Sequence, residues 1–378
     1  MARTAAVLIL LAALGALLWL GRWQVNERRA GGDAFWYARS AYQFAGRDDG
    51  EATRGAAEVM ARYRGQSGDG WLAAPSSVDP RYQAIFRGRP LYPAVSAPFV
   101  TPVGPDAMVV GSLLGGAALA AGVGLGAARL AGSWPVGAVA AALVFVLPSG
   151  AFVAYLGPEG WMLAVWTLGL AVAVAHAARP GPWLLGMLAL VTVVLAATKS
   201  SNAGVLALTL LLVALVAIAR RSPERRALVR AAAVGGAVLT GSLAVAAVLG
   251  LPGLSESVQD LLTDHFTKPD VESPWLELAL FDLRQLPRWL VGLTRAPVEL
   301  ALGLVGAIAL LRLGWERAAP WLIGAAATVL VVLLHPVTSE IPRLLAPIWV
   351  SVAVGLAVGA AEVAAWMVAR VRVARPPE

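Results

Sequence analysis

Blocks of roughly 16 to 24 apolar residues recur along the chain, separated mostly by short polar breaks, and each is close to the ~20 residues one helix needs to cross a bilayer core. In lipid every backbone N–H and C=O must find its partner within the protein, which a helix achieves along its own length. Strands of a membrane barrel would alternate apolar and polar residues with period two, and no such alternation is present. Hydrophobic residues make up 58% of the 378 and charged residues 14%, whereas a soluble domain carries about a quarter charged. There is too little charge here to cover an aqueous surface. The sequence predicts an all-α fold, a polytopic transmembrane helix bundle of about ten spans in one integral membrane domain, 1–378.

The spans fall at 4–21, 106–128, 134–153, 160–177, 182–198, 203–219, 228–250, 296–312, 320–335 and 343–369. A cleaved signal peptide is the competing reading of the first. Gly21-Arg22-Trp23-Gln24 follows it without a small-x-small site, so a retained anchor is expected. Residues 22–104 form a large outer loop. In it Ala34, Tyr37, Ala38, Ala41, Tyr42 and Ala45 recur at helical spacing, as do Ala52, Ala56, Val59, Met60 and Tyr63, with Glu58 and Arg62 one turn apart. Two amphipathic helices near the membrane surface are predicted, broken at Gly46 to Gly50. A second outer loop spans 251–290. There Ser257 with Asp260 resembles a capping box, and Ser273-Pro274 reads as an N-cap before a first-turn proline, so two short helices are expected.

The formal net charge is +7, from 30 basic and 23 acidic residues. Such an excess can serve nucleic-acid binding, but much of it flanks hydrophobic spans, the pattern of membrane topology, and no nucleic-acid partner is expected. With a cytoplasmic N-terminus, the inner connections hold Arg129, Arg179, Arg220, Arg221, Arg225, Arg226, Arg230, Arg312 and Arg317, and the tail holds Arg370, Arg372 and Arg375. The short outer connections at 154–159, 199–202 and 336–342 hold only Lys199 as a basic residue. Both termini are then cytoplasmic and both long loops outside. The chain contains no cysteine, which excludes disulfides and thiolate metal sites.

This orientation puts Asp33, Glu159, Lys199, His265, Lys268, His335, Glu340 and Arg343 on the outer side, near the membrane boundary. Ionisable groups at that depth are costly and mark a functional cavity by default, although each could instead snorkel singly to the interface. Their grouping on one face points to a shared polar cavity. Other roles stand open for individual residues. Asp33 suits an N-cap before Ala34, and Glu159 suits a loop carboxylate beside Gly157-Pro158. His265 and His335 suit ligands of a divalent metal, with Asp33 or Glu340, or structural histidines. Trp71, Tyr82, Phe86 and Tyr92 suit stacking on a sugar or an interfacial aromatic belt.

The order of these features resembles the GT-C superfamily of integral membrane glycosyltransferases, which use polyprenyl-phosphate-linked sugars. Gly32-Asp33-Ala34-Phe35-Trp36-Tyr37-Ala38 resembles the family's acidic residue in the first outer loop, and Arg89-Pro90-Leu91-Tyr92-Pro93 its proline-rich return to the second span. Leu156-Gly157-Pro158-Glu159-Gly160 resembles its acidic step into a later span, and Ala197-Thr198-Lys199-Ser200-Ser201 its polar break. Ile341-Pro342-Arg343-Leu344-Leu345-Ala346-Pro347 resembles its arginine-proline start of a late span. Asp33 departs from the family in standing alone between Gly32 and Ala34, where members often pair two acids.

The resemblance implies an inverting hexosyl- or pentosyltransferase. It would move a sugar from a polyprenyl-phosphate donor to an envelope glycan, lipid or protein at the outer face of a bacterial plasma membrane. Such chemistry needs a base for the acceptor hydroxyl, and Asp33 is the candidate. It also needs cations for the departing phosphate. Arg343 and Lys199 lead there, followed by Lys268 and Arg295, with Glu159, His265 and Glu340 completing the binding set. A divalent metal enters as a cofactor if His265 or His335 binds one. A transporter or flippase for a lipid-linked saccharide would use the same groups without chemistry, although no internal repeat of the transporter kind is evident. A catalytically silent scaffold whose outer loop recruits partners is the third reading.

Overall fold

A computed structural model describes residues 2–27, 29–65, 67–337 and 340–373, the side chains of 371–373 excepted. Every regular element among them is a helix. The first is α1 (Ala2–Val25). The segment after it holds α2 (Asp33–Phe44), α3 (Asp49–Arg64), the single turns α4 (Asp69–Leu72) and α5 (Ala74–Ser77), and α6 (Pro80–Arg87). Next, α7 (Leu91–Val103) passes through a 3-10 turn into α8 (Ala107–Ala131), so the return to the bundle is helical from Leu91 onward. Then come α9 (Trp134–Val146), α10 (Ser149–Val153), α11 (Glu159–Ala178), α12 (Pro182–Ala219) and α13 (Arg225–Val248). The second polar segment holds α14 (Leu254–Leu262) and α15 (Pro274–Thr294). The described chain closes with α16 (Pro297–Arg312), α17 (Trp315–Ala327), α18 (Val329–Leu334), α19 (Ile341–Leu344) and α20 (Ala346–Val373).

Seven helical stretches are long and apolar enough to cross a membrane, or eight if α15 and α16, bent by 82°, form one broken span. This is the construction of a multi-pass membrane protein. Counted as eight, the spans fall short of ten at two places. The block 134–153 is cut at Leu147-Pro148, leaving α9 with 13 residues; Pro148 has no N–H to donate to the turn before it. The blocks 182–198 and 203–219 are joined in the 38-residue α12.

That element is not straight. Lys199 is extended, with φ −163° and ψ 101°. A Cβ placed on Gly169 of α11 would lie 2.8 Å from Leu206 and 3.2 Å from Val191, residues that a straight helix would hold ~22 Å apart. The two ends of α12 also meet the same end of α11. Ala214 and Ala217 pack with Ala177, while Gly181 donates its N–H to His176 Nδ1 at 3.4 Å. The chain therefore reverses at Lys199.

Small residues let the helices approach closely. Gly306 and Gly355 bring α16 against α20 so tightly that a Cβ on Gly355 would meet the Gly306 carbonyl. Leu11, Gly15, Trp19 and Trp23 bury one stripe of α1, largely on α8. At the C-terminal end of α1, Trp19 Nε1 donates to the Val153 carbonyl at 2.9 Å. Just beyond, Asn26 Nδ2 donates to those of Ala151 and Ala154 at 3.0 and 2.7 Å. These bonds fix the turn that precedes Glu159.

The polar segments differ from the sequence expectation in detail. α2 is enclosed on more than one face: Phe35 and Trp36 are buried together with Ala34, Tyr37, Ala38, Ala41 and Tyr42. Phe35 stacks on Trp71 at 5.2 Å and Trp36 on Phe86 at 6.1 Å, so α2 is a core helix. α3 keeps its amphipathic form and is capped by Asp48, which accepts the Glu51 N–H at 2.8 Å. Arg62 pairs with Asp106 at 3.2 Å instead of Glu58. At α14 the cap is Glu256, which accepts the Gly253 N–H at 3.0 Å, while Ser257 lies inside the helix. Ser273-Pro274 does begin α15, but at 21 residues that helix is not short. Arg375 and the Arg372 side chain lie outside the described residues.

Candidate functional site

Three acidic side chains from separate parts of the chain meet one guanidinium. Arg343 Nη2 lies 3.5 Å from Asp33 Oδ2, and its Nε lies 3.6 Å from Glu159 Oε1 and 2.7 Å from Glu340 Oε2. Pro342 occupies the first turn of α19, and its fixed φ sets where the Arg343 side chain starts. Asp33 opens α2 but does not cap it, since the N-cap position is Gly32 and no side-chain cap bond forms. Its carboxylate is left to face Arg343. Glu159 is the first residue of α11 and is 2% exposed, a buried acid and not a loop carboxylate. The positive end of the α11 dipole favours its charge. Burial opposes the charge on Arg343, but Glu159, Asp33 and Glu340 outweigh it, so the guanidinium holds its proton more firmly than usual.

Two further cations stand beside this cluster. Lys199, at the reversal of α12, is 8% exposed and within electrostatic reach of Arg343, Glu159, Arg89 and Asp33. Arg89 Nη1 donates to Tyr37 Oη at 3.1 Å, one turn along α2 from Asp33. Burial pushes the Tyr37 phenol up to about 12, so it keeps its proton at neutral pH. Among the described residues neither Lys199 nor Arg89 pairs with a carboxylate, whereas Arg343 has three. Arg89 and Tyr37 are members that sequence reasoning missed. Both signals were present: Arg89 heads the Arg-Pro-Leu-Tyr-Pro run, and Tyr37 repeats the Asp33 position at helical spacing. Tyr155 is a third, since its hydroxyl lies over Gly31, where any Cβ would collide with it.

The remaining candidates are placed elsewhere. His265 shares a 3.0 Å hydrogen bond with Asp260 and packs on Tyr82 at a centroid distance of 4.5 Å. Arg81 pairs with Asp270 at 2.7 Å nearby, tying the α14 segment to α6. Lys268 pairs with Asp264 at 3.8 Å on the surface. Arg295 is exposed at the end of α15. His335 ends α18, within electrostatic reach of Lys199 and Arg343. Among the described residues no three His, Cys, Asp or Glu side chains are grouped to hold a metal ion; the three carboxylates face a guanidinium instead. Trp71, Tyr82 and Phe86 pack on other rings. Tyr92 is fully buried and donates to the Met108 carbonyl at 2.9 Å.

The hydrogen bond to Asp260 raises the His265 pKa, and Asp264 and Asp33 add to it against partial burial. A histidine whose folded value exceeds its unfolded one stabilises fully below the unfolded value, near 6.5, and ceases to as pH rises through the folded value. Amide exchange across residues 260–268 is therefore expected to quicken as pH rises through that window, beyond the intrinsic increase. In His265→Asn this excess should vanish; its persistence there would assign the effect to another group.

The chain gives no significant match to any family model, to any curated protein or to any solved structure.

Proposed function

We propose that the chain is an inverting glycosyltransferase that moves a sugar from a polyprenyl-phosphate donor to a cell-envelope acceptor. In this reading the bundle has ten spans, counting each half of α12 and the α9–α10 pair. Both termini are cytoplasmic, and the Arg343 cluster faces outward from a bacterial plasma membrane. The observation that carries the proposal is the division of charge at the site: Arg343 holds three carboxylates, while Lys199 and Arg89 have none. Two neighbouring cations without a carboxylate are suited to an anionic phosphate.

The acceptor oxygen attacks the anomeric carbon as the bond from that carbon to the phosphate oxygen breaks. The electron pair leaves with the phosphate, whose charge Lys199 and Arg89 receive. The hydroxyl proton passes to Asp33. Its side chain is 28% exposed against 3% for Glu159, so an acceptor can reach Asp33, while Glu159 serves to hold Arg343. One displacement inverts the anomeric configuration.

The test is incubation of purified protein with radiolabelled polyprenyl-phosphate sugars and envelope acceptors. Transfer of label supports the proposal. Binding and translocation of the lipid-linked sugar without transfer would instead favour the transporter. Orientation is checked separately. The arginine asymmetry predicts that a reporter fused after Arg221 is active only in the cytoplasm, and one inserted near Ser67 only outside. Opposite signals would put the cluster on the wrong face for this donor.

A further inference from the structure

α15 carries three distinct faces along its 21 residues. Leu278, Asp282, Gln285 and Trp289 form the face turned toward the protein, and Trp289 packs on the cluster of Val205, Val331 and Leu344 beside the Arg343 turn. Leu276, Leu283, Leu286, Leu290 and Leu293 are between 45% and 64% exposed and, at 100° per residue, line a second face. Glu277, Arg284 and Arg288 fall on a third, on the far side of the axis from the leucines. The helix meets α16 at 82°. α16 is itself apolar and exposed at Val298, Leu300 and Leu304, as a lipid-facing span must be.

We propose that α15 lies in the plane of the membrane on the phospholipid leaflet at the Asp33 end. Its leucine face would enter the acyl region and Arg284 and Arg288 would reach the lipid phosphates. Four features select this occupant. A right-angle bend from a spanning helix lays the next helix along the surface. Leucines opposite arginines match the change from hydrocarbon to phosphate within one helix diameter. The exposed leucines are followed directly in the chain by the exposed apolar residues Val298, Leu300 and Leu304 of α16, and the arginines complement the anionic headgroup oxygens. Because Trp289 braces α15 against the α19 region, the leaflet would also set the height of the Arg343 cluster.

The absence of cysteine makes the test direct. Single cysteines at Leu283, Arg284, Leu286, Arg288 and Leu290 would be spin-labelled in otherwise intact protein in phospholipid nanodiscs. Collision with oxygen and with a water-soluble nickel chelate is then measured. The expected result is oxygen-accessible, nickel-protected labels at the three leucine positions, roughly 5–10 Å below the phosphates, and the reverse at the two arginine positions. Uniform nickel access would show α15 in water and overturn the proposal. Protection from both reagents at the leucine positions would show a protein partner there and overturn it equally. Single cysteines at Val298 and Leu304 of α16, labelled in separate proteins, serve as the positive control, because they must read as lipid-exposed, and thermal unfolding of each α15 variant checks that it is folded.

Discussion

Asp33→Asn is expected to lower turnover by roughly 10²–10⁴, the usual range for loss of a general base, while polyprenyl-phosphate binding stays near the parent value. The substitution keeps the shape of the side chain and leaves an amide oxygen to face Arg343. Glu159 and Glu340 still hold that guanidinium at 3.6 and 2.7 Å, so the site should stay assembled. Single-turnover rates with donor pre-bound separate chemistry from binding. A folded Asp33→Asn protein that turns over at the parent rate removes Asp33 as the base and moves the role to Glu159, whose burial argues against it.

Arg343→Ala should have the largest effect on stability. It strands Glu159, whose side chain is 3% exposed, and removing one partner from a buried ion pair typically costs roughly 3–5 kcal/mol. Asp33 and Glu340 are partly solvated and add little to that loss. Arg343→Lys should fall between, because an ammonium is a single point and cannot fork toward three carboxylates. Thermal unfolding in detergent gives the ranking. Glu159→Gln placed on the Arg343→Ala background should recover part of the loss, since it removes the stranded charge. If Arg343→Ala melts with the parent, the cluster is not an interacting unit and its acids are independent.

Helicity, the apolar blocks and the residues of the cluster were legible because each rests on local pattern. Length and hydropathy expose a helix in lipid, and an acid or arginine beside an apolar block is conspicuous. Asp33, Glu159, Lys199, Glu340 and Arg343 were found in this way. What failed was information held by pairs distant in sequence. Nothing local to Phe35 says that Trp71 will stack on it, so α2 read as a surface helix. Nothing near Lys268 or Arg295 says that they stay outside the cluster. The reversal at Lys199 was only half visible. The polar run announced a break, but the contacts of Val191 and Leu206 with Gly169 show which way the chain goes. Arg89 was overlooked because its prolines attracted a purely structural reading.

The Arg343 cluster also bears on how the chain is made. Two of its three acids, Asp33 and Glu159, are synthesised early, and Glu340 and the arginine late: with elongation at 5–20 residues per second, the roughly 180 residues from Glu159 to Arg343 take about ten to forty seconds. Throughout that interval Asp33 and Glu159 lack the group that finally neutralises them, and only Arg89 and later Lys199 are at hand. A nascent chain arrested before Pro342 would hold an unbalanced acidic pocket, open to water or to quality-control proteases. Completion of α19 is thus the step that seals the site.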